Sequence, residues 1–230
     1  MHYEIHPITS GCWAIQDGNV RMYLLDGGTD AVLIDTGYGS GDLKAKAASL
    51  CGGTIHVINT HSHSDHISGN RQFSHFFMGK EDAPAILPVC PPGAHIETVA
   101  DGAVIRLGTL ALEVIETPGH TPGAISLLDR ERRLLFSGDT FAKLFPIYMQ
   151  YPGQDLHQYL RSMRKLQARE AEFDRICPAH GELRIEKAYM EKTIRCCEGI
   201  INRSIKAGSA QLADGGMDRA YWFEDVAIFC

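Results

Sequence analysis

The chain has 230 residues, of which 44% are hydrophobic and 22% charged, and its formal net charge is −6. This length allows a buried core, and we expect a single domain over residues 1–230. An acidic balance without a Lys/Arg-rich run argues against a nucleic-acid partner, and the lack of an apolar stretch of about 18 residues argues against a membrane span. The seven cysteines include no C-x-x-C pair. Together with an N-terminus that has no secretory pattern, they predict reduced thiols and a cytoplasmic location.

The predicted elements form two β-rich halves, each followed by helix. We expect strands between Gly, Asn and Pro turns at Cys12–Gln16, Arg21–Asp26, Ala31–Thr36, Thr54–Thr60, Val104–Leu107, Leu110–Glu116, Ala124–Leu128, Arg133–Ser137 and Ala220–Phe229. Helices are predicted from an N-cap at Ser40 to Leu50, over Asp155–Ala168 and over Ile185–Ala207. This order indicates an α+β fold in which two sheets pack face to face with helices outside.

The segment from Thr60 to His66 holds three imidazoles and a carboxylate within seven residues. Side chains two residues apart in an extended backbone project to the same side, so His61 and His63 can converge on one point. Asp65 and His66 are neighbours, and the Ile-Ser-Gly-Asn that follows permits the turn they need. Imidazole nitrogens and carboxylate oxygens suit zinc, iron or manganese. The segment therefore predicts a metal site.

Three more candidate ligands lie in turn-like contexts farther along the chain. His120 lies between prolines and glycines, Asp139 is expected just past the C-terminal end of a strand, and His180 ends another strand before Gly181. Strand ends that open into loops commonly carry chemistry. The histidines without ligand-like neighbours in the sequence are expected to be structural or exposed: His2, His6, His56, His75, His95 and His157.

The number of candidate ligands favours two metals. A catalytic metal usually takes three protein ligands and leaves a position open for water. Two such sites require six ligands, so the seventh candidate fits only if one carboxylate bridges the two metals. This count points to two metals about 3.5–4 Å apart that share an oxygen donor.

With these residues, the sequence resembles the metallo-β-lactamase superfamily and, within it, the glyoxalase II-like hydrolases. The match runs in motif order from Val32–Gly37 to Pro178–Gly181. The resemblance implies an αββα sandwich of two mixed β-sheets flanked by helices, with the metals at one edge between the sheets. It implies two zinc ions per chain, with iron or manganese as alternatives. It also implies the role of each residue. His61, His63 and His120 bind the first metal, Asp65, His66 and His180 bind the second, and Asp139 bridges them. Asp35 lies at a strand end behind the metals and supports the ligands.

The expected chemistry is hydrolysis of a small-molecule substrate, an ester, thioester, lactone or phosphodiester. Two cations lower the pKa of a water lodged between them and so provide a bridging hydroxide. Asp65 and Asp139 are the expected catalytic carboxylates: both orient the nucleophile, and Asp65 passes a proton to the leaving group.

Differences between this sequence and particular branches of the superfamily limit the range of expected substrates. Ala142 stands where acyl-homoserine lactonases have a tyrosine, and the segment after Asp139 does not reproduce the glutathione-binding contacts of the thioesterase. Residues 141–152 are apolar and aromatic, so they either wall the active site or pack under the C-terminal helices. Two alternatives to a hydrolase stay open: a single-iron oxidoreductase resembling the persulfide dioxygenases, and a metal-binding protein without turnover.

Overall fold

Two β-sheets stack face to face and carry helices on their outer sides in the computed structural model, which describes residues 3–211 and 217–230. This is the predicted αββα sandwich. The first sheet follows the chain order: β1 (Glu4–Thr9), β2 (Cys12–Asp17), β3 (Val20–Asp26), β4 (Asp30–Ile34), β5 (Thr54–Asn59), β6 (His75–Gly79) and β7 (His95–Val99). Strands β4 to β7 run parallel, and β7 is one of the two edge strands of this sheet.

The second sheet has the strand order β14-β13-β11-β10-β9-β8. Its strands are β8 (Val104–Leu107), β9 (Leu110–Glu116), β10 (Ile125–Asp129), β11 (Leu134–Lys143), β13 (Arg175–Gly181) and β14 (Ile185–Glu186). A small third sheet beside it has the order β12-β17-β16-β15. These four strands are β12 (Ile147–Tyr148), β15 (Gly208–Gln211), β16 (Met217–Phe223) and β17 (Val226–Phe229).

The helices cover the outer faces of the two large sheets. They are α1 (Leu43–Ala48), α2 (Ser64–Ile67), α3 (Ala83–Ile86), α4 (Leu156–Gln167) and α5 (Tyr189–Ile201). In α4 the buried side chains recur at helical spacing, for example at Tyr159, Met163 and Leu166, so one stripe packs on the sheet. Among the described helices, none combines the length and the apolar character required to cross a bilayer.

Strand alternation explains why the sandwich buries both faces of its central strands. In β4, Val32 and Ile34 belong to the core between the sheets, whereas Ala31 and Leu33 pack on the outer side with Leu43 of α1. Successive side chains of a strand point to opposite faces, so a continuous apolar run is what a doubly covered strand requires.

The sequence-based elements differ from the structure at several boundaries. Asp42, not Ser40, caps α1: its side chain accepts a hydrogen bond from the Ala45 backbone N–H. The predicted helix over Ile185–Ala207 is shorter, because Ile185–Glu186 pairs as a strand with β13. The predicted strand Ala220–Phe229 is a hairpin of β16 and β17, which turns at Glu224 with φ 52°. Strands β1, β6, β7, β12 and β15 were not predicted.

Candidate metal centre

The structure brings all seven predicted ligands to one edge of the sandwich. His61, His63, Asp65 and His66 follow β5 directly: the chain leaves the strand at Thr60 and enters the short helix α2, with His63 at its N-cap. The other three come from the second sheet, as His120 lies between β9 and β10, Asp139 lies in β11 and His180 in β13. Four of them are almost fully buried: His61, His66, His120 and His180.

The seven side chains form two groups of potential metal ligands. One contains His61, His63, His120 and Asp139, and the other contains Asp65, His66 and His180, with ligand atoms of each group within 4.8 Å of one another. The two carboxylate oxygens of Asp139 face different groups. Its Oδ2 lies 3.4 Å from His120 Nε2 and 3.9 Å from His61 Nε2, whereas its Oδ1 lies 3.2 Å from His66 Nε2 and 3.4 Å from His180 Nε2.

Hydrogen bonds on the outer side of four imidazoles fix which nitrogen faces the centre. Each Nδ1 lies near an oxygen that can accept its proton. The partners are Thr60 Oγ1 for His61 (3.1 Å), Asp35 Oδ2 for His66 (2.9 Å), Tyr148 O for His120 (3.0 Å) and Asn19 O for His180 (2.7 Å). A ring that donates through Nδ1 keeps an unprotonated Nε2, the form that binds metals. His63 is turned the other way, with its Nδ1 3.0 Å from His120 Nε2.

Buried atoms without hydrogen-bond partners support a metal at this centre. His61 Nε2, His66 Nε2 and Asp139 Oδ1 are buried and have no such partner. Burying an unpaired polar atom costs about 1–3 kcal/mol, and all three atoms belong to the two groups of potential metal ligands. A divalent cation would satisfy them, so the donor set fits a metal.

The charge states of His61, His63 and Asp139 also favour a cation. Burial lowers the pKa of His61 well below its usual value, with help from the nearby His66. Burial and the neighbouring His120 lower the pKa of His63 to about 4. Burial alone would raise the pKa of Asp139, but His180 and His66 outweigh it and hold this pKa well below its usual range. The two histidines are therefore neutral at neutral pH and the carboxylate is ionised, as metal ligands must be.

Asp35 connects the first sheet with the loop on which His61, His63 and His66 lie. It is 1% exposed and follows β4 with φ 62°. Its carboxylate accepts hydrogen bonds from the Thr60 N–H (2.7 Å), the Thr60 hydroxyl (2.7 Å) and His66 Nδ1 (2.9 Å). A non-glycine residue at positive φ is strained, and such strain often accompanies a functional site.

Asp139 lies inside β11, which corrects the prediction that it follows the strand. The pairing of β11 with β13 is irregular here, shifting between Phe136 and Gly138 and again before Ala142. Gly138 has φ 52°, and a Cβ on it would lie 2.4 Å from Thr60 Oγ1. Only glycine fits at this close approach, and the irregular backbone turns the Asp139 carboxylate toward the histidines.

Asp82 is a structural residue of the site that sequence reasoning missed. It is 3% exposed and lies after β6. Its carboxylate accepts hydrogen bonds from the Ser62 N–H (2.9 Å), the Thr121 hydroxyl (2.7 Å) and the Gly123 N–H (2.7 Å). It thereby ties the loop of His61 and His63 to the loop of His120. Its sequence neighbourhood carries no signal of this role, because all three partners are distant in the chain.

A cavity of about 700 Å³ opens over the centre. Four aromatic side chains line it together with His63, Asp65, His120, Asp139 and His180: Tyr38, Phe145, Tyr148 and Tyr151. The ring of Phe145 stacks on that of His180, with centroids 4.5 Å apart and planes 11° apart. Residues 141–152 thus both wall the cavity and pack under the helices. Phe145, Tyr148 and Tyr151 face the cavity, while Phe141 and Ile147 are buried in the core.

Three histidines expected to be isolated are in contact with one another away from this centre. His56 Nδ1 lies 2.9 Å from His75 Nδ1, and both His75 Nε2 and His95 Nε2 lie within 3.2 Å of Glu97 Oε1. Their neighbours in the sequence gave no indication of these contacts, and Glu97 is a ligand-like neighbour of His75 and His95 in space. His2 lies outside the described residues.

Comparisons with known proteins agree with this geometry. Residues 15–180 match the model of the metallo-beta-lactamase superfamily. Beta-lactamase-like protein 2 homolog of Caenorhabditis elegans is 31% identical over 179 residues, 74% of this chain and 58% of that protein. Mitochondrial persulfide dioxygenase of Homo sapiens is 35% identical over 85 residues, 37% and 32% of the two chains. Acyl-coenzyme A thioesterase MBLAC2 of Bos taurus is 31% identical over 170 residues, 54% and 59%.

The matched part covers less than two thirds of each of these relatives. Among solved structures, a metallo-beta-lactamase from Pontibacter korlensis superposes with a TM-score of 0.73 at 21% identity, covering 86% of this chain and 99% of that one. This likeness concerns the fold. Since the superfamily model covers most of the chain, including every residue of the metal centre, the chain belongs to the metallo-beta-lactamase superfamily.

Proposed function

We propose that this protein is a metal-dependent hydrolase that cleaves a small ester or thioester with an apolar acyl portion. The observation that carries the proposal is the position of Asp139, whose two oxygens each face a separate group of histidines. This position supports Asp139 as a bridging ligand between two metals, zinc by preference and iron or manganese as alternatives. Lactones and phosphodiesters are further members of the substrate class.

The ligand roles follow the two groups. We propose His61, His63 and His120 for the first metal and Asp65, His66 and His180 for the second. Bound there, the metals supply Lewis acidity, which polarises a carbonyl and lowers the pKa of water. The rings are held by their outer hydrogen bonds, so little reorganisation is needed when metals bind.

Asp65 is the proposed proton carrier. It lines the cavity, and its side chain is 23% exposed, so it can reach a substrate. Burial alone would raise its pKa, but the contact of its Oδ2 with His180 Nε2 (3.2 Å) and the nearby His66 lower it. Asp65 is therefore ionised at neutral pH and able to orient an attacking water, accept its proton and pass it to the leaving group.

The wall of the cavity supports an apolar acyl portion. Phe145, Tyr148 and Tyr151 offer ring surfaces, and no Lys or Arg lines the cavity among the described residues. A thioester whose recognition depends on carboxylates, such as S-lactoylglutathione, would find no cationic partner there. The bovine relative, an acyl-coenzyme A thioesterase by name, supports thioester chemistry.

A substrate panel tests the substrate class. We expect activated esters and small acyl thioesters to be turned over with higher kcat/KM than S-lactoylglutathione or acyl-homoserine lactones at matched concentration. A kcat/KM for S-lactoylglutathione a hundredfold above every other substrate, about 2.7 kcal/mol of additional transition-state binding, would overturn this proposal.

A single-iron oxidoreductase is the second candidate, and the 85-residue similarity to a persulfide dioxygenase favours it. Elemental analysis separates the two. About two zinc ions per chain support the hydrolase, whereas one tightly held iron, with oxygen consumption on a persulfide, supports the oxidoreductase. Metal without any turnover would support a binding protein.

We also propose a cytoplasmic location and a single domain over residues 1–230. Six cysteines form no disulfide in the structure: Cys12, Cys51, Cys90, Cys177, Cys196 and Cys197. This is typical of a reducing compartment.

A further inference from the structure

A second cluster of polar side chains crosses four parallel strands of the first sheet. Asp30 lies at the start of β4, His56 in β5, His75 at the start of β6, and His95 and Glu97 in β7. His75 and His95 are register partners, and Glu97 follows His95 by two residues, so all three side chains share one face of the sheet.

This cluster and the metal centre described above lie at opposite ends of the same strands. His56 is near the amino end of β5, and His61 follows the carboxyl end of the same strand. Five residues of extended chain separate the two by about 16 Å.

Two neutral imidazoles do not carry enough protons to form all the hydrogen bonds of the cluster. His56 Nε2 lies 2.8 Å from Asp30 Oδ1 and His75 Nε2 lies 2.8 Å from Glu97 Oε1, so each carboxylate requires a proton on the ring nitrogen that faces it. The two Nδ1 atoms, 2.9 Å apart, require one more proton between them. Two imidazoles would then share three protons, which makes one of them a cation.

A metal ion on His75 Nε2 removes this mismatch. His75 then carries its proton on Nδ1 and donates to His56 Nδ1, and His56 donates through Nε2 to Asp30. Both rings are neutral and every donor has an acceptor. A metal-binding imidazole usually donates its other N–H to a carboxylate, a backbone carbonyl or water. Here His56, which itself contacts Asp30, takes the place of that acceptor.

The remaining ligands are within reach. Glu97 Oε1 lies 2.8 Å from His75 Nε2 and 3.2 Å from His95 Nε2, and the three ligand atoms lie within 4.8 Å of one another. Two donors at about 2.0–2.1 Å from a tetrahedral zinc are about 3.3 Å apart, so small movements of the half-exposed Glu97 and the exposed His95 make room for an ion.

We propose that His75, His95 and Glu97 form a further binding site for a divalent transition metal, zinc by its ligand set, which ties the edge strand β7 to β6. Water completes the coordination, because this end of the cluster is open to solvent. His56 and Asp30 act as positioning residues that hold His75 in its metal-binding tautomer. Binding at this site strengthens the pairing of an edge strand whose side chains are otherwise mostly exposed.

Metal content after dialysis against micromolar zinc tests the site. We expect wild-type protein to hold one zinc per chain more than His95→Ala or Glu97→Gln when the metal centre at the other end of the strands is loaded in all three. Hydrolytic activity should be equal in all three. His157→Ala, which removes an exposed histidine from α4, is the matched control and should keep the wild-type zinc content. Equal zinc content in wild type, His95→Ala and Glu97→Gln would overturn the proposal.

Two further measurements address the role of the site. Added zinc should raise the Tm of the loaded wild-type protein but not that of His95→Ala, and an equal rise in both would contradict the tie between β6 and β7. Asp30→Asn should weaken binding of this zinc about 10–100-fold, whereas an unchanged Kd would refute the relay through His56.

Discussion

Replacing Asp35 by asparagine should weaken a metal that Asp35 never touches. The carboxylate accepts three hydrogen bonds, two from Thr60 and one from His66 Nδ1. An amide has one accepting oxygen, so in either orientation its NH2 group meets a buried donor, which costs about 1–3 kcal/mol of stability. His66 also loses an anionic partner, and loss of such an outer partner lowers metal affinity about 10–100-fold, or about 1.4–2.7 kcal/mol.

The assay is a competition titration with a chromophoric zinc chelator, combined with thermal unfolding of the metal-free protein. Asp82→Asn is the matched control. Asp82 is an equally buried carboxylate that also accepts three hydrogen bonds, but none comes from a histidine ring. Both variants should lose comparable stability, and only Asp35→Asn should bind the second metal at least tenfold more weakly. If its affinity stays within about twofold of wild type, the reasoning about His66 is refuted.

Further substitutions test separate parts of the proposal. Asp139→Ala should abolish hydrolysis and reduce binding of both metals, since each oxygen faces one group; retention of both metals and most activity would contradict the bridging role. His180→Ala should deplete mainly one metal in elemental analysis and leave the circular dichroism spectrum intact. Phe145→Ala should lower kcat/KM for an apolar acyl substrate about tenfold through loss of ring contact, with little change for an acetyl ester; equal losses would argue against an acyl-binding wall. Arg169 hydrogen-bonds Glu172 and lowers its pKa from 4.5 to about 2, so this carboxylate stabilises the fold above pH 4.5 and loses its effect as the pH falls to 2. Glu172→Gln should therefore lower Tm at pH 6 but not at pH 2, and a pH-independent difference would contradict this.

Much of the metal centre could be predicted from the sequence because its ligands sit in short, strongly constrained segments. His61, His63, Asp65 and His66 lie within six residues, where local geometry alone makes them converge. His120 and His180 could be singled out because glycine and proline mark their turns. Strands β8 and β9 have the predicted bounds, because turn residues delimit them: Gly108 separates the two strands, and Pro118 and Gly119 follow β9.

Tertiary structure decided what depends on contacts between distant segments. The two oxygens of Asp139 face different histidine groups because β11 is irregular where Gly138 passes Thr60. Asp82 gains its role only when the loops of Ser62 and Thr121 meet. Likewise β7 offers few apolar residues because it is an edge strand, so neither the strand nor the pairing of its His95 with His75 of β6 could be predicted. Parallel pairing joins residues that are twenty positions apart in the chain, and no local pattern encodes that register.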